Sequence, residues 1–110
     1  MSRRDLTAAR AAPVFAALGD ATRLSLLSRL CDGRAYSISD LASGTKLTRQ
    51  GVTKHLATLR RAKIVTSRRK GRVSLYQLRP ESLEQARDYL ARASQQWDEA
   101  IDRLRSFVEE

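Results

Sequence analysis

Apolar positions along the chain recur first at helical spacing, then at strand spacing, then at helical spacing again. Ala8 to Leu18 is alanine-rich, with Val14, Phe15 and Leu18 marking one face. Pro13 is best tolerated in a first helical turn, so the regular helix is expected to start near it, with residues 8–12 as a looser lead-in and residues 1–7 frayed. Gly19 ends this helix and Asp20 caps the next, Ala21–Cys31, where Leu24, Leu26, Leu27 and Leu30 predict deep burial. Asp32-Gly33 is a turn signal. Ile38, Leu41 and Ala42 then predict a short third helix over about residues 38–43, capped by Ser37 or Ser39.

Thr48 to Lys63 carries the clearest helical pattern. Val52, Leu56, Leu59 and Ala62 recur at i, i+4, i+7 and i+10, a narrow stripe suited to packing on a core. Thr48 can accept one of the backbone N–H groups left free in the first turn, and the helix is expected over residues 48–62. Opposite the stripe lie Gln50, Lys54, Ala57 and Arg61, flanked by Thr53 and Thr58, with no carboxylate among them. Gly44-Thr45-Lys46 joins this helix to the shorter one before it, the arrangement of a helix-turn-helix.

After Lys63 the period shortens. Residues 64–68 and 73–78 are β-branched or alternating, and Arg69-Lys70-Gly71-Arg72 lies between them. This predicts a β-hairpin over residues 64–78 with Gly in its turn and four cations, Arg68, Arg69, Lys70 and Arg72, at its tip. A cationic hairpin directly after the second helix of a helix-turn-helix is expected to be the wing of a winged helix.

Pro80 opens a last helix over residues 81–109. Leu83, Leu90, Trp97 and Leu104 repeat every seven residues, with Ala86, Ala93, Ala100 and Phe107 three positions after each. Ile101 and Val108 widen this a/d seam. About 29 residues at 1.5 Å rise span roughly 43 Å, more than the ~80-residue body can cover. The seam therefore predicts a homodimer joined through Leu83, Leu90, Trp97, Ile101, Leu104 and Phe107, because an exposed Trp97–Leu104–Phe107 patch is an aggregation liability in a monomer. The competing arrangement folds the helix back on its own domain.

At 110 residues the chain is expected to form a single domain, 1–110, with a body over residues 8–79 and the dimerisation helix attached. The fold class is mainly α with a β-hairpin, in the order α-α-α-α-β-β-α: a winged helix-turn-helix. No apolar run has the length of a signal-peptide core or a membrane span, and the chain is expected in the cytoplasm with no membrane partner. The single cysteine, Cys31, excludes an intramolecular disulfide and suits a reducing compartment. At a helix end it is expected to be buried and inert rather than a redox sensor.

Charge changes the picture more. The formal net charge is +9, and residues 1–79 carry +13 against −4 for residues 80–110. No acid occurs between Asp40 and Glu81, where eleven residues are basic. Solvated faces normally mix signs, so this segregation points to a polyanionic partner, which the helix-turn-helix pattern narrows to an expectation of double-stranded DNA. Gln50 can pair bidentately with adenine, Arg49 and Lys54 can reach guanine, and Thr53 can touch a thymine methyl or a phosphate. A phosphate contact is the alternative for each. His55, at the boundary of the apolar stripe, fits a packed, hydrogen-bonded structural residue. Thr48, Arg61 and Lys46 complete the helix side of the surface; Arg68, Arg69, Lys70 and Arg72 are expected against phosphate or in the adjacent minor groove. No second His or Cys is available for a nucleophile–base pair, and the carboxylates cluster on the last helix, so the chain is not expected to be an enzyme or to hold a cofactor.

Residues 12–108 resemble the ArsR/SmtB winged-helix transcriptional repressors. The resemblance rests on Val14-Phe15-Ala16-Ala17-Leu18-Gly19-Asp20-Ala21-Thr22-Arg23, on Leu47-Thr48-Arg49-Gln50-Gly51-Val52-Thr53-Lys54-His55-Leu56, on the wing ending Tyr76-Gln77-Leu78, and on the last helix with Leu90, Trp97 and Leu104. It implies a homodimeric, sequence-specific repressor that reads an inverted-repeat operator through the major groove, suggests a DNA contact by His55 as the alternative to a structural role, and leaves room for a small-molecule effector. The other readings are a winged-helix protein-interaction module and a nonspecific nucleic-acid architectural protein. The family's metal chemistry does not carry over: Ser37 and Ser39 stand where metal-sensing members place cysteines, and the last helix has no histidine. Gly51 and Lys63 depart from the family pattern. Gly51 costs up to ~1 kcal/mol in a helix and leaves room for a phosphate, while Lys63 stands where a Gly usually ends the helix.

Overall fold

The computed structural model describes the backbone of residues 3–109 and the side chains of residues 8–109. Five helices and three strands follow in order: α1 (Arg3–Leu18), α2 (Ala21–Leu30), β1 (Tyr36–Ser37), α3 (Ile38–Ala42), α4 (Arg49–Arg61), β2 (Val65–Lys70), β3 (Val73–Leu78) and α5 (Pro80–Glu109). The strands form one antiparallel sheet in the order β1-β3-β2. This is a winged helix-turn-helix with a long C-terminal helix.

The core gathers Leu26 and Leu30 of α2, Leu41 of α3, Val52, Leu56 and Leu59 of α4, and Ile64 and Val65 at the start of the wing, all essentially inaccessible. Burying each such side chain is worth roughly 1.5–3 kcal/mol, an upper bound because the unfolded chain already hides part of it. The predicted stripe of α4 is therefore what anchors that helix, and it leaves the opposite face to solvent.

Each helix start is locally specified. The Asp20 carboxylate accepts the Arg23 N–H at 3.0 Å. Ser37, rather than Ser39, caps α3 in a reciprocal box with Asp40, each side chain accepting the other's backbone N–H at 3.0 Å. Thr48 Oγ1 accepts the Gly51 N–H at 2.9 Å. At the other end of α4, the N–H groups of Lys63 and Ile64 return to the carbonyls of Arg60 and Leu59, a Schellman motif with Lys63 at φ 61°. Position 63 thus takes a left-handed backbone while carrying a lysine. Fully buried Ile64 and Leu59 supply the hydrophobic pair that accompanies this motif.

The structure departs from the sequence expectations at several points. α1 is one helix from Arg3, with Pro13 inside it, so the regular helix starts well before Pro13 rather than near it; Met1 and Ser2 lie outside the described residues. Packing of α1 on α5 compensates for the backbone bond lost at Pro13: Ala11, Val14 and Ala17 are buried, and the Phe15 and Tyr89 rings meet at 5.9 Å. β1 adds a strand between α2 and α3, pairing Tyr36 with Tyr76 and Ser37 with Leu75. Leu24 is exposed, because it points roughly 110° away from the mean direction of Leu26, Leu27 and Leu30 on the helical wheel. Cys31 is exposed rather than buried, since it caps α2 where the chain turns out of the core.

The heptad seam of α5 is divided. Ala86 and Ala93 are buried in the half of α5 that α1 covers, and Leu83 packs against the chain's own core. Leu90, Trp97, Ile101, Leu104 and Phe107 remain exposed, Trp97 by 55%, Leu104 by 65% and Phe107 by 79%. The helix both folds back and projects, which gives the molecule its 65 Å long axis. No helix among the described residues is long and apolar enough to cross a membrane.

Candidate nucleic-acid interface

The α3–turn–α4 unit is held from behind by two arginines. Arg29 of α2 donates to the Leu41 carbonyl at 2.7 Å and to the Asp40 carbonyl at 2.9 Å, fixing α3 through the fork of one guanidinium. Arg23 donates to the Ala17 carbonyl at the end of α1, and one of its guanidinium nitrogens lies 3.4 Å from His55 Nδ1 on α4. The same ring nitrogen is 3.9 Å from Asp20 Oδ2. His55 therefore sits at a junction of α1, α2 and α4, as a packed structural residue would. Neither arginine is visible as a site residue in the sequence, because each acts through carbonyls distant along the chain.

The carboxyls at these junctions report the same anchoring. The Arg23 backbone N–H holds Asp20 below the ordinary carboxylate range, with Coulombic help from Arg23 and His55. The Ser37 backbone N–H does the same for Asp40, with further help from the Ser37 hydroxyl.

On this frame the first two turns of α4 present Arg49, Gln50, Thr53 and Lys54 to solvent, with Thr48 at the cap and Lys46 in the preceding turn. The Thr53 hydroxyl donates to the Arg49 carbonyl at 2.7 Å, so its proton stays within the helix and the residue offers a methyl group and an acceptor outward. That is the chemistry of a thymine or water contact rather than of a phosphate donor. Gly51 has a structural reason of its own. A Cβ there would lie 3.1 Å from Thr48 Oγ1, so glycine leaves the cap its room.

Arg61 stands at the far end of the same outer face of α4. It lies roughly 18 Å farther along α4 than Arg49, at 1.5 Å per residue. There it lines a shallow groove with Thr53, Ala57, Arg60 and Tyr76, between the outer face of α4 and the sheet. Arg60 and Tyr76 join the surface from positions the stripe argument passed over: Arg60 follows the buried Leu59, and Tyr76 is largely buried in β3.

The wing is a tight hairpin whose two-residue loop is Gly71-Arg72, with Lys70 paired to Val73 and Gly71 at φ 64°. Arg68, Arg69, Lys70 and Arg72 are all exposed. Strand alternation sets Arg68 and Lys70 on one face with Thr66, and Arg69 on the other with Val65 and Ser67. Among the described residues the ion pairs are His55–Asp20 and Arg79–Glu81, so the cations of α4 and the wing tip have no acidic partner there. Among the described residues no group of three or more His, Cys, Asp or Glu side chains is placed to hold a metal.

Comparison with known proteins agrees with this geometry. A family model described as a helix-turn-helix domain matches residues 18–68. The chain is 40% identical over 72 residues to the HTH-type transcriptional regulator KmtR of Mycobacterium tuberculosis, a match covering 66% of this chain and 55% of that protein. It thus spans little more than half the length of that relative. It is 37% identical over 65 residues to YuzN, an uncharacterized HTH-type transcriptional regulator of Bacillus subtilis, covering 54% of this chain and 71% of that one. Among solved structures, an ArsR-like transcriptional regulator from Rhodococcus sp. RHA1 superposes with a TM-score of 0.73 at 33% identity, covering 92% of this chain and 94% of that one.

Proposed function

The chain belongs to the ArsR-like family of winged helix-turn-helix transcriptional regulators, and from that premise we propose that it is a homodimeric repressor acting in the cytoplasm on an inverted-repeat operator. α4 enters the major groove by its N-terminal turns. Gln50 reads adenine, while Arg49 and Lys54 contact guanine or phosphate and Thr53 sets its methyl against thymine. The exposed edge of α5, Leu90, Trp97, Ile101, Leu104 and Phe107, joins two chains so that the two copies of α4 meet successive groove faces about 34–36 Å apart. Arg68, Lys70 and Arg72 of the wing hold the flanking backbone. The chain catalyses no reaction in this account.

One observation carries the reading: four exposed hydrogen-bonding or cationic side chains share the first two turns of α4, with no acid anywhere between Asp40 and Glu81. Exposed apolar area on α5 supplies the reason for a second chain, since a contiguous patch of this kind on a monomer marks an interaction site. Duplexes selected from random DNA should bind at least roughly 10³-fold more tightly than random duplex at physiological salt. An affinity ratio near unity would overturn the repressor reading in favour of a nonspecific architectural protein.

A further inference from the structure

A cleft of about 410 Å³ opens where α1, the C-terminal end of α4 and the first turn of α5 meet. That volume falls within the usual range of small-molecule sites. Cations line it from three directions: Arg10 on α1, Arg61 and Lys63 at the end of α4, and Arg79 before α5. Glu81 is the one carboxylate in the lining, and it lies 3.6 Å from Arg79. Arg10, Arg61 and Lys63 have no acidic partner within ion-pair distance among the described residues. The folded chain therefore concentrates positive charge in a concavity, at an electrostatic cost that an anion relieves.

The backbone adds to this field. At the end of α4 the Arg60 and Leu59 carbonyls accept from Lys63 and Ile64, and the Ser82 hydroxyl donates to the Lys63 carbonyl at 2.8 Å, which satisfies part of that helix end. α5 begins at the same place, with the positive end of its dipole at the cleft. Pro13 and Ala62 supply an apolar wall, and Gln85 an uncharged amide.

The body of the cleft lies away from the first turns of α4 and from the wing tip. It sits at the root of the wing, five pair steps or roughly 17 Å from the Lys70–Val73 pair at the tip, at about 3.3 Å per residue. Arg61 is as far again from the first turn of α4. A duplex seated on those turns and on the wing tip has no need of Arg10 or Arg79.

We propose that this cleft binds a small, multiply charged oxyanion, a phosphate ester or a polycarboxylate, held by the combined positive charge of Arg10, Arg61, Lys63 and Arg79. Binding itself does not depend on the regulator reading. Its consequence does: an anion spanning Arg10, Lys63 and the first turn of α5 fixes the end of α4 relative to the helix proposed to join the dimer, and so acts as an effector.

Isothermal titration of the full chain with pyrophosphate, and separately with citrate, at constant ionic strength tests the assignment. Three proteins are compared: wild type, R10Q/R79Q, and R68Q/R69Q, which removes equal charge at the wing. One anion per chain should bind wild type and the wing variant alike, and R10Q/R79Q should bind it roughly tenfold or more weakly. The tighter of the two probes identifies the phosphate or the carboxylate class. No heat above that of matched chloride, or equal binding by R10Q/R79Q, overturns the site. A loss of random-duplex affinity in R10Q/R79Q as large as in R68Q/R69Q also overturns it, by assigning the cleft to DNA. If no protein binds DNA but the pyrophosphate pattern holds, the anion site stands and the regulator reading fails.

Discussion

Charge at the wing tip makes a quantitative prediction. Each phosphate contact by Lys or Arg contributes about 0.9 to the slope of log K against log salt. Replacing Arg68, Arg69, Lys70 and Arg72 with Gln removes at most four contacts per wing, a slope change of about 3.6. The alternation of β2 lowers that figure, since Arg68 and Lys70 face one way and Arg69 the other. With Arg72 in the loop beside either face, two to three contacts per wing remain, and the slope should flatten by about 2–3 per wing. Between 50 and 200 mM salt the variant should then lose roughly 1–2 fewer decades of affinity per wing than wild type. Fluorescence anisotropy on selected and random duplexes measures this directly. The slope change should be the same on both, because phosphates carry no sequence. An unchanged slope, or a change confined to the selected duplex, refutes the backbone role of the wing.

Three further outcomes follow from the fold. Lys63→Gly should raise stability by about 0.5–1 kcal/mol, or roughly 3–6 °C in Tm, by relieving the left-handed lysine net of glycine's larger unfolded entropy; Lys63→Ala, which keeps the strain, should not. Wild type should sediment as the proposed dimer and Leu104→Glu as a folded monomer, with association weakened by roughly 30-fold or more if this ridge is the hot spot; a dimer unaltered by the substitution would place the interface elsewhere, and a monomeric wild type would refute it. Asp20 and Asp40 titrate below the ordinary carboxylate value of 3.8 in the folded chain, so the stability they add is complete above that value and is lost as pH falls through their lowered values. Urea midpoints measured down a pH series should therefore fall less steeply below about pH 4 in D20N/D40N than in wild type.

What could be read in advance was whatever depends on neighbours in sequence. The α4 stripe, the caps at Asp20 and Thr48 and the glycine of the wing turn all act within one turn of chain, and each appears where the pattern placed it. What escaped depends on partners distant in sequence. β1 is two residues long, too short for any period, and exists only because Tyr76 and Leu75 pair with it. The helix before Pro13 persists because α5 lies alongside α1, with the small residues Ala11, Ala17, Ala86 and Ala93 buried in the two helices, and such residues carry little weight in a hydrophobic pattern. Leucine at position 24 looked like core only because leucines surround it. Within the surface itself, the exposed residues of α4 and the wing were legible by type and spacing. The Arg23–His55 and Arg29 supports were not, because each acts through groups distant along the chain.

The central claim is that α4 reads bases, twice, on one dimer. Binding-site selection from random duplex, run in parallel with wild type and Gln50→Ala, tests it most directly. Wild type should enrich an inverted repeat whose half-site centres lie one helical turn, about 10–10.5 base pairs, or a multiple of it apart. Gln50→Ala should enrich the same spacing while losing preference at one position in each half-site. A single unpaired half-site from wild type, or identical base preferences from both proteins, would contradict the account.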